Sequence, residues 1–101
     1  GPESTLSGTI LYYTSATTTS TGDGLLTVTS SAPNGKVYID GKYKADAPLS
    51  NFELKDGQYQ IKVTAQGWEN VEIPIIVRSG YQLNLKTYHF PVPVNFEPTT
   101  N

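Results

Sequence analysis

The sequence predicts an all-β protein, an antiparallel β-sandwich of about seven strands with essentially no helix. Three observations predict this class. From Leu25 onward, apolar residues alternate with polar ones in a succession of short runs. Turn-forming pairs that contain glycine separate these runs. No window repeats apolar residues at the spacing i, i+3, i+4 and i+7 that an amphipathic helix needs.

The first 23 residues are expected to precede the sandwich. Gly1-Pro2 is interpreted as the remnant of a cleaved expression tag. The apolar run of residues 9–13 (Thr9 to Tyr13) predicts an extra strand, and residues 14–21 are only Thr, Ser and Ala, which predicts a linker. Because a loose linker tethers this strand, it is expected either to complete its own sandwich or to insert into a neighbouring copy, giving a monomer or a strand-swapped oligomer.

The alternating runs supply the predicted strands and core. Pro74 interrupts one run, and since proline cannot donate to a ladder it predicts an edge strand or a bulge. The sandwich domain is expected to span residues 24–90, followed by a proline-rich extended tail over 91–101. The predicted core comprises Leu26, Val28, Val37, Ile39, Leu54, Tyr59, Ile61, Val63, Val71, Ile73, Val77, Leu83 and Leu85.

The pairs between the runs favour tight turns, because glycine, aspartate and asparagine tolerate the positive φ angles of two-residue hairpins. These turns are predicted at Pro33-Asn34-Gly35, Asp40-Gly41, Asp56-Gly57, Gln66-Gly67 and Ser79-Gly80.

Composition excludes several function classes. The chain has 101 residues, a net charge of -2 and no cysteine. Without cysteine there is no disulfide, thiol nucleophile or thiolate metal ligand. The positive field that nucleic-acid binding requires is missing, and no apolar run approaches the roughly 18 residues of a membrane span.

The stretch from Gly24 to about Val77 resembles the PEGA domain. Residues 33–36 take the place of the Pro-Glu-Gly-Ala turn that names the family, and residues 37–41 match its aliphatic–aromatic–aliphatic strand closed by Asp-Gly. The remaining matches are the strand of Leu26, Val28 and Ser30 before the turn, the pair Pro48-Leu49, the element Leu54, Gly57 and Tyr59, and the corner Gly67-Trp68.

This resemblance implies a Greek-key or transthyretin-like sandwich of bacterial and archaeal surface proteins, with transthyretin-like and carboxypeptidase-regulatory-like relatives. It implies a non-catalytic module that spaces, displays or binds, and an extracytoplasmic location that is cell-surface, periplasmic or secreted. The family offers no catalytic residues to carry over.

The residues themselves give no constellation for chemistry. His89 is the sole histidine and is expected to be half-exposed at a strand end. Calcium prefers loop oxygens such as those of Asp23, Asp40, Asp46 and Asp56, but turn formation accounts for Asp40 and Asp56, each of which precedes a glycine. We therefore expect no catalytic residue, no metal and no cofactor.

Aromatic residues are the remaining candidates for a binding surface. Tyr38 and Tyr43 flank a turn, and Tyr38 is out of phase with Val37 and Ile39, so it is expected to face away from the core. Trp68 is a third candidate, although packing at the rim of the core is the preferred interpretation. An exposed tyrosine offers an apolar ring and a hydroxyl to a ligand or partner.

Two functions follow as expectations. The first is a structural or interaction module of an exported or cell-envelope protein, which spaces or presents neighbouring domains or docks a protein partner. The alternative is a carbohydrate-binding module of a secreted or surface protein. Neither involves nucleic acid or a membrane span within this fragment.

Overall fold

The computed structural model describes residues 8–15 and 22–93. These two ranges contain strands and no helix, so the predicted all-β sandwich is confirmed. The strands are β1 (Gly8–Ser15), β2 (Gly24–Ser30), β3 (Lys36–Ile39), β4 (Lys42–Asp46), β5 (Leu49–Leu54), β6 (Gly57–Ala65), β7 (Trp68–Val77) and β8 (Tyr81–Tyr88).

The strands form two four-stranded sheets. The first sheet has the order β1-β8-β2-β5 and the second has the order β4-β3-β6-β7. All pairs are antiparallel except β2 with β8, which run parallel. β8 is therefore flanked by β1 on one side and by β2 on the other.

The core lies between the sheets and follows the predicted alternation. Its buried members include Leu26, Val37, Ile61 and Leu83. The predicted core residues that are only partly buried are Leu54, Tyr59 and Ile73. The predicted set also lacks two buried members of the cluster, Leu49 and Ile75.

The predicted turn at Asp40-Gly41 joins β3 to β4 through two residues with positive φ, 50° and 82°. This is the backbone of a type I′ hairpin, whose twist matches that of the flanking strands. The Asp40 carboxylate also accepts a hydrogen bond of 2.8 Å from the backbone N–H of Gln60. The turn residue thereby ties the hairpin to β6.

Pro74 lies on β7, which is an edge strand of the second sheet, as its missing N–H predicts. It stands opposite Gln60 in a continuous part of the β6–β7 ladder. The irregularity in that ladder lies instead between Val63 and Ala65. The edge interpretation of Pro74 therefore applies, and the bulge interpretation does not.

The N-terminal strand β1 pairs with β8 over all eight residues from Gly8 to Ser15. Thr14 and Ser15, which were expected in the linker, therefore belong to the strand. The rest of the linker (16–21), the residues before Gly8 and the tail beyond residue 93 lie outside the described residues.

Candidate functional site

Tyr38 and Tyr43 meet on the outer face of the second sheet. They are opposite each other in the β3–β4 ladder, with ring centroids 5.8 Å apart and ring planes at 67°. Tyr38 is half-buried, and Tyr43 is 52% exposed. This edge-to-face geometry is the favourable arrangement of two aromatic rings.

Two lysines lie over the two rings. The Lys62 ammonium on β6 is 5.3 Å from the Tyr38 centroid, and the Lys36 ammonium on β3 is 5.6 Å from the Tyr43 centroid. Both distances are within the range of a cation–π interaction. One face of each ring is thus covered by a cation of the protein itself.

Asp46 completes this surface. Its Oδ1 accepts a hydrogen bond of 2.9 Å from the Tyr43 hydroxyl and one of 3.2 Å from the Lys36 ammonium. The hydrogen bond from Tyr43 is the largest cause that lowers the pKa of the Asp46 carboxyl below its ordinary value, and the bond from Lys36 is the next. The same carboxylate raises the pKa of the Tyr43 phenol and of the Lys36 ammonium.

A bulge in β4 brings Tyr43 and Asp46 to the same side of the sheet. Residues three apart in a regular strand point to opposite faces. Here Tyr38 pairs with Tyr43 and Val37 pairs with Ala45, so Lys44 is an extra residue without a partner. We call the resulting surface the tyrosine–lysine face; it comprises Lys36, Tyr38, Tyr43, Asp46 and Lys62.

Neither lysine of this face was predicted as a site residue, and Asp46 was predicted only as a loop oxygen of the kind that calcium prefers. The alternation puts Lys36 in the outward phase of Tyr38 and Lys62 out of phase with Ile61 and Val63, and this was the signal that could have found them. Only the register of β3 with β6 shows that Lys62 stands opposite Tyr38. No sequence feature marks Lys44 as a bulge. The position of Asp46 therefore could not be deduced.

Trp68 lies apart from this face. It pairs with Ala65, whose side chain is buried, and it forms an isolated bridge with Pro91. Trp68 is half-buried at the start of β7, so it sits at the rim of the core. The structure brings Tyr38 and Tyr43 together and places Trp68 elsewhere.

His89 is buried, only 6% exposed, so the expectation of a half-exposed residue is wrong. Its Nδ1 donates to the Glu69 carbonyl (2.7 Å), and its Nε2 lies 2.8 Å from the Thr87 hydroxyl. The backbone N–H of His89 donates to the Ser31 hydroxyl at 2.9 Å. Ser31 and Glu69 come from distant segments, and the local sequence around His89 does not indicate these contacts.

A hollow of about 620 Å³ borders the tyrosine–lysine face at Lys36. It is lined by Pro33, Asn34, Lys36, Thr64, Ala65, Gln66 and Asn70.

Among the described residues, no three His, Cys, Asp or Glu side chains are grouped so that they could hold a metal ion. Over the same part of the chain, no helix is long and apolar enough to cross a membrane.

Comparison with known families agrees with the resemblance seen in the sequence. A family model described as the PEGA domain matches residues 23–89, which is more than half of the chain. This range includes β2 to β8 and leaves β1 outside it. No curated protein and no solved structure matches the chain significantly.

Proposed function

The chain belongs to the PEGA domain family, and we propose that it is a non-catalytic interaction module that docks a protein partner through the tyrosine–lysine face. The family suggests an extracellular or surface module. We place this module, residues 24–90, in an exported or cell-envelope protein. In that protein it also spaces or presents the neighbouring domains. The observation that carries this proposal is the pair of half-buried Tyr38 and exposed Tyr43, held among three charged side chains.

The geometry of this face suits a protein partner because its side chains are already ordered. Tyr43 is held by its ring contact with Tyr38 and by its hydrogen bond to Asp46. Tyrosine supplies large contact area at protein interfaces with few rotatable bonds. A side chain that is ordered before binding loses less conformational entropy in the complex.

The charges of the face also suit a protein surface. Two lysines and one aspartate alternate around the rings, so both signs of charge are present. Charges at an interface rim favour a partner with a complementary pattern more than they add to affinity. We therefore expect the partner to present both acidic and basic groups around an apolar centre.

The carbohydrate-binding alternative draws support from the exposure of Tyr43 and from the hollow beside Lys36, which Asn34 and Gln66 help to line. A sugar ring stacks on an open aromatic face. The lysines occupy one face of each ring, and the 67° angle prevents the two rings from forming one flat platform. The geometry therefore favours a protein partner over a glycan.

A photo-crosslinking amino acid at position 43 tests the proposal in the source organism's envelope fraction. The matched control carries it at position 88, where Tyr88 is 43% exposed on β8. We expect one protein adduct from position 43 that is absent from position 88 and is lost when Tyr38→Ala is added.

Glycan binding is measured in parallel on a polysaccharide panel. Binding that disappears in Tyr43→Ala and persists in Tyr88→Ala would replace the protein-docking proposal with the carbohydrate alternative. Identical adducts at positions 43 and 88 would refute both uses of this face.

A further inference from the structure

β1 is the terminal strand of the first sheet, and the edge that faces away from β8 is open. β1 pairs with β8 without a register shift, and no described strand pairs with its other edge. The segment Gly8–Ser15 contains no charged residue and no proline. Its four large apolar side chains, Ile10, Leu11, Tyr12 and Tyr13, are 38–49% exposed. A long, uncharged, apolar edge is the kind that recruits another strand.

The other three edges of the two sheets each carry a feature that opposes pairing. β4 is five residues long, bears Lys42 and Lys44, and is bulged. In β5, Asn51 has a φ of 53° and stands at an irregularity in the ladder with β2. β7 contains Pro74, which has no N–H to donate. Among the edges of the described sheets, β1 is thus the one without protection.

The sequence of β1 is complementary to itself when two copies run antiparallel. A twofold axis through Leu11, perpendicular to the sheet, places Ile10 opposite Tyr12 of the second copy and Thr9 opposite its Tyr13. Each pair lies on one face, because Leu11 and Tyr13 oppose the buried Leu85 and Leu83 whereas Ile10 and Tyr12 are out of phase with them. Pairs of an aromatic and a β-branched residue across antiparallel strands are stabilising.

We propose that the β1 edge is a self-association site, to which a second copy of this chain adds its own β1 to make one continuous eight-stranded sheet. The occupant is a second copy because its own β1 supplies the cross-strand pairs described above, and the strand has no like charges that would repel its twin. The β1 edge belongs to the first sheet and the tyrosine–lysine face to the second, so self-association at this edge does not depend on docking at that face.

Sedimentation equilibrium of the full chain tests the association from about 10 µM to about 1 mM, the range suited to a small interface. We expect the mass to rise toward twice 11.0 kDa. Leu11→Lys places two ammonium groups at the axis and raises the dimer Kd about tenfold or more. The control Val92→Lys changes a residue that is 51% exposed and outside β1, and it leaves the Kd unchanged.

Single cysteines test the register, since the chain has none of its own. Only a residue on the axis faces its own counterpart, so Leu11→Cys crosslinks faster than Thr9→Cys or Tyr13→Cys on the same side of the strand. A monomer at every concentration, a dimer insensitive to Leu11→Lys, or equal crosslinking at all three positions overturns the proposal. The cysteine variants keep the test valid if Leu11→Lys does not fold.

Discussion

β1 and β2 flank the same strand, β8, and differ in what they bury. β2 places Gly24, Leu26 and Val28 in the interior, with both of the last two fully buried. β1 has no buried residue, although its ladder with β8 is longer than that of β2. The family match also begins at residue 23, so it includes β2 and excludes β1. Backbone pairing and contacts of exposed side chains, such as the hydrogen bond from the Tyr13 hydroxyl to the Ile76 carbonyl, therefore attach β1, whereas side-chain burial makes β2 part of the core.

The largest expected effect is on the free energy of unfolding, and it compares two leucines that lie on either side of β8. Leu26 opposes Leu83 and is 0% exposed; Leu11 opposes Leu85 and is 38% exposed. Leu26→Ala leaves a cavity in the core and should lower the free energy of unfolding by about 2–5 kcal/mol. Leu11→Ala should cost less than about 1 kcal/mol, because its side chain already contacts water.

Urea denaturation of the two variants measures this difference. Equal losses of stability would mean that β1 contributes to the core as much as β2 does. That result would contradict the division between an attached strand and an integral one.

A pair of glycines sharpens the comparison. A Cβ at Gly24, the first residue of β2, would lie 2.6 Å from the Arg78 carbonyl oxygen and 2.6 Å from Val77 Cγ1. Gly24→Ala therefore forces the backbone apart and should cost about 1–3 kcal/mol. A Cβ at Gly8, the first residue of β1, meets no atom within 4 Å. Gly8→Ala should change stability by less than about 0.5 kcal/mol, as measured by the same urea denaturation.

Two threonines paired across the β1–β8 ladder give a smaller effect. Thr87 is buried, and its hydroxyl donates to the Thr29 carbonyl at 3.0 Å and lies beside His89. Thr87→Val keeps the shape but leaves polar atoms unpaired, which should cost about 1–2 kcal/mol. Thr9, its partner on β1, is half-buried, and Thr9→Val should be close to neutral. A larger loss for Thr9→Val would show that β1 is held by side-chain contacts.

Local patterns predicted what local physics determines. The period of two gave the strands and most of the core, because each side chain in a strand points away from its neighbours. Asp40-Gly41 predicted a hairpin, and both residues have the positive φ that it requires. Pro74 predicted an edge strand from its missing N–H alone.

Features that depend on distant segments could not be read in this way. The parallel pairing of β2 with β8 joins residues more than fifty positions apart. The burial of His89 depends on Ser31 and on the Glu69 carbonyl, which the chain order does not place near it. In the tyrosine–lysine face, the bulge at Lys44 decides where Asp46 points, and a bulge leaves no sign in an alternating sequence.

The smallest expected effect compares two tyrosine hydroxyls. That of Tyr43 donates to Asp46 in the body of the sandwich, and that of Tyr13 on β1 donates to the Ile76 carbonyl. Tyr43→Phe removes the main cause that lowers the Asp46 pKa, so this pKa should rise toward its ordinary value of 3.8. Tyr13→Phe should leave it unchanged. The chemical shift of the Asp46 carboxyl carbon, measured by NMR during an acid titration, gives the Asp46 pKa in each variant.

The sign of the accompanying stability change follows from linkage. Because folding lowers the Asp46 pKa, its carboxylate stabilises the fold at pH values above the ordinary 3.8, and this contribution is lost as the pH falls through the lower folded value. Tyr43→Phe reduces the difference between the folded and the ordinary pKa of Asp46. The stability of the wild-type chain should therefore fall more steeply than that of the variant below about pH 4. An Asp46 titration identical in both chains would mean that the Tyr43 hydroxyl does not order this face, and the preorganisation argued for protein docking would then be lost.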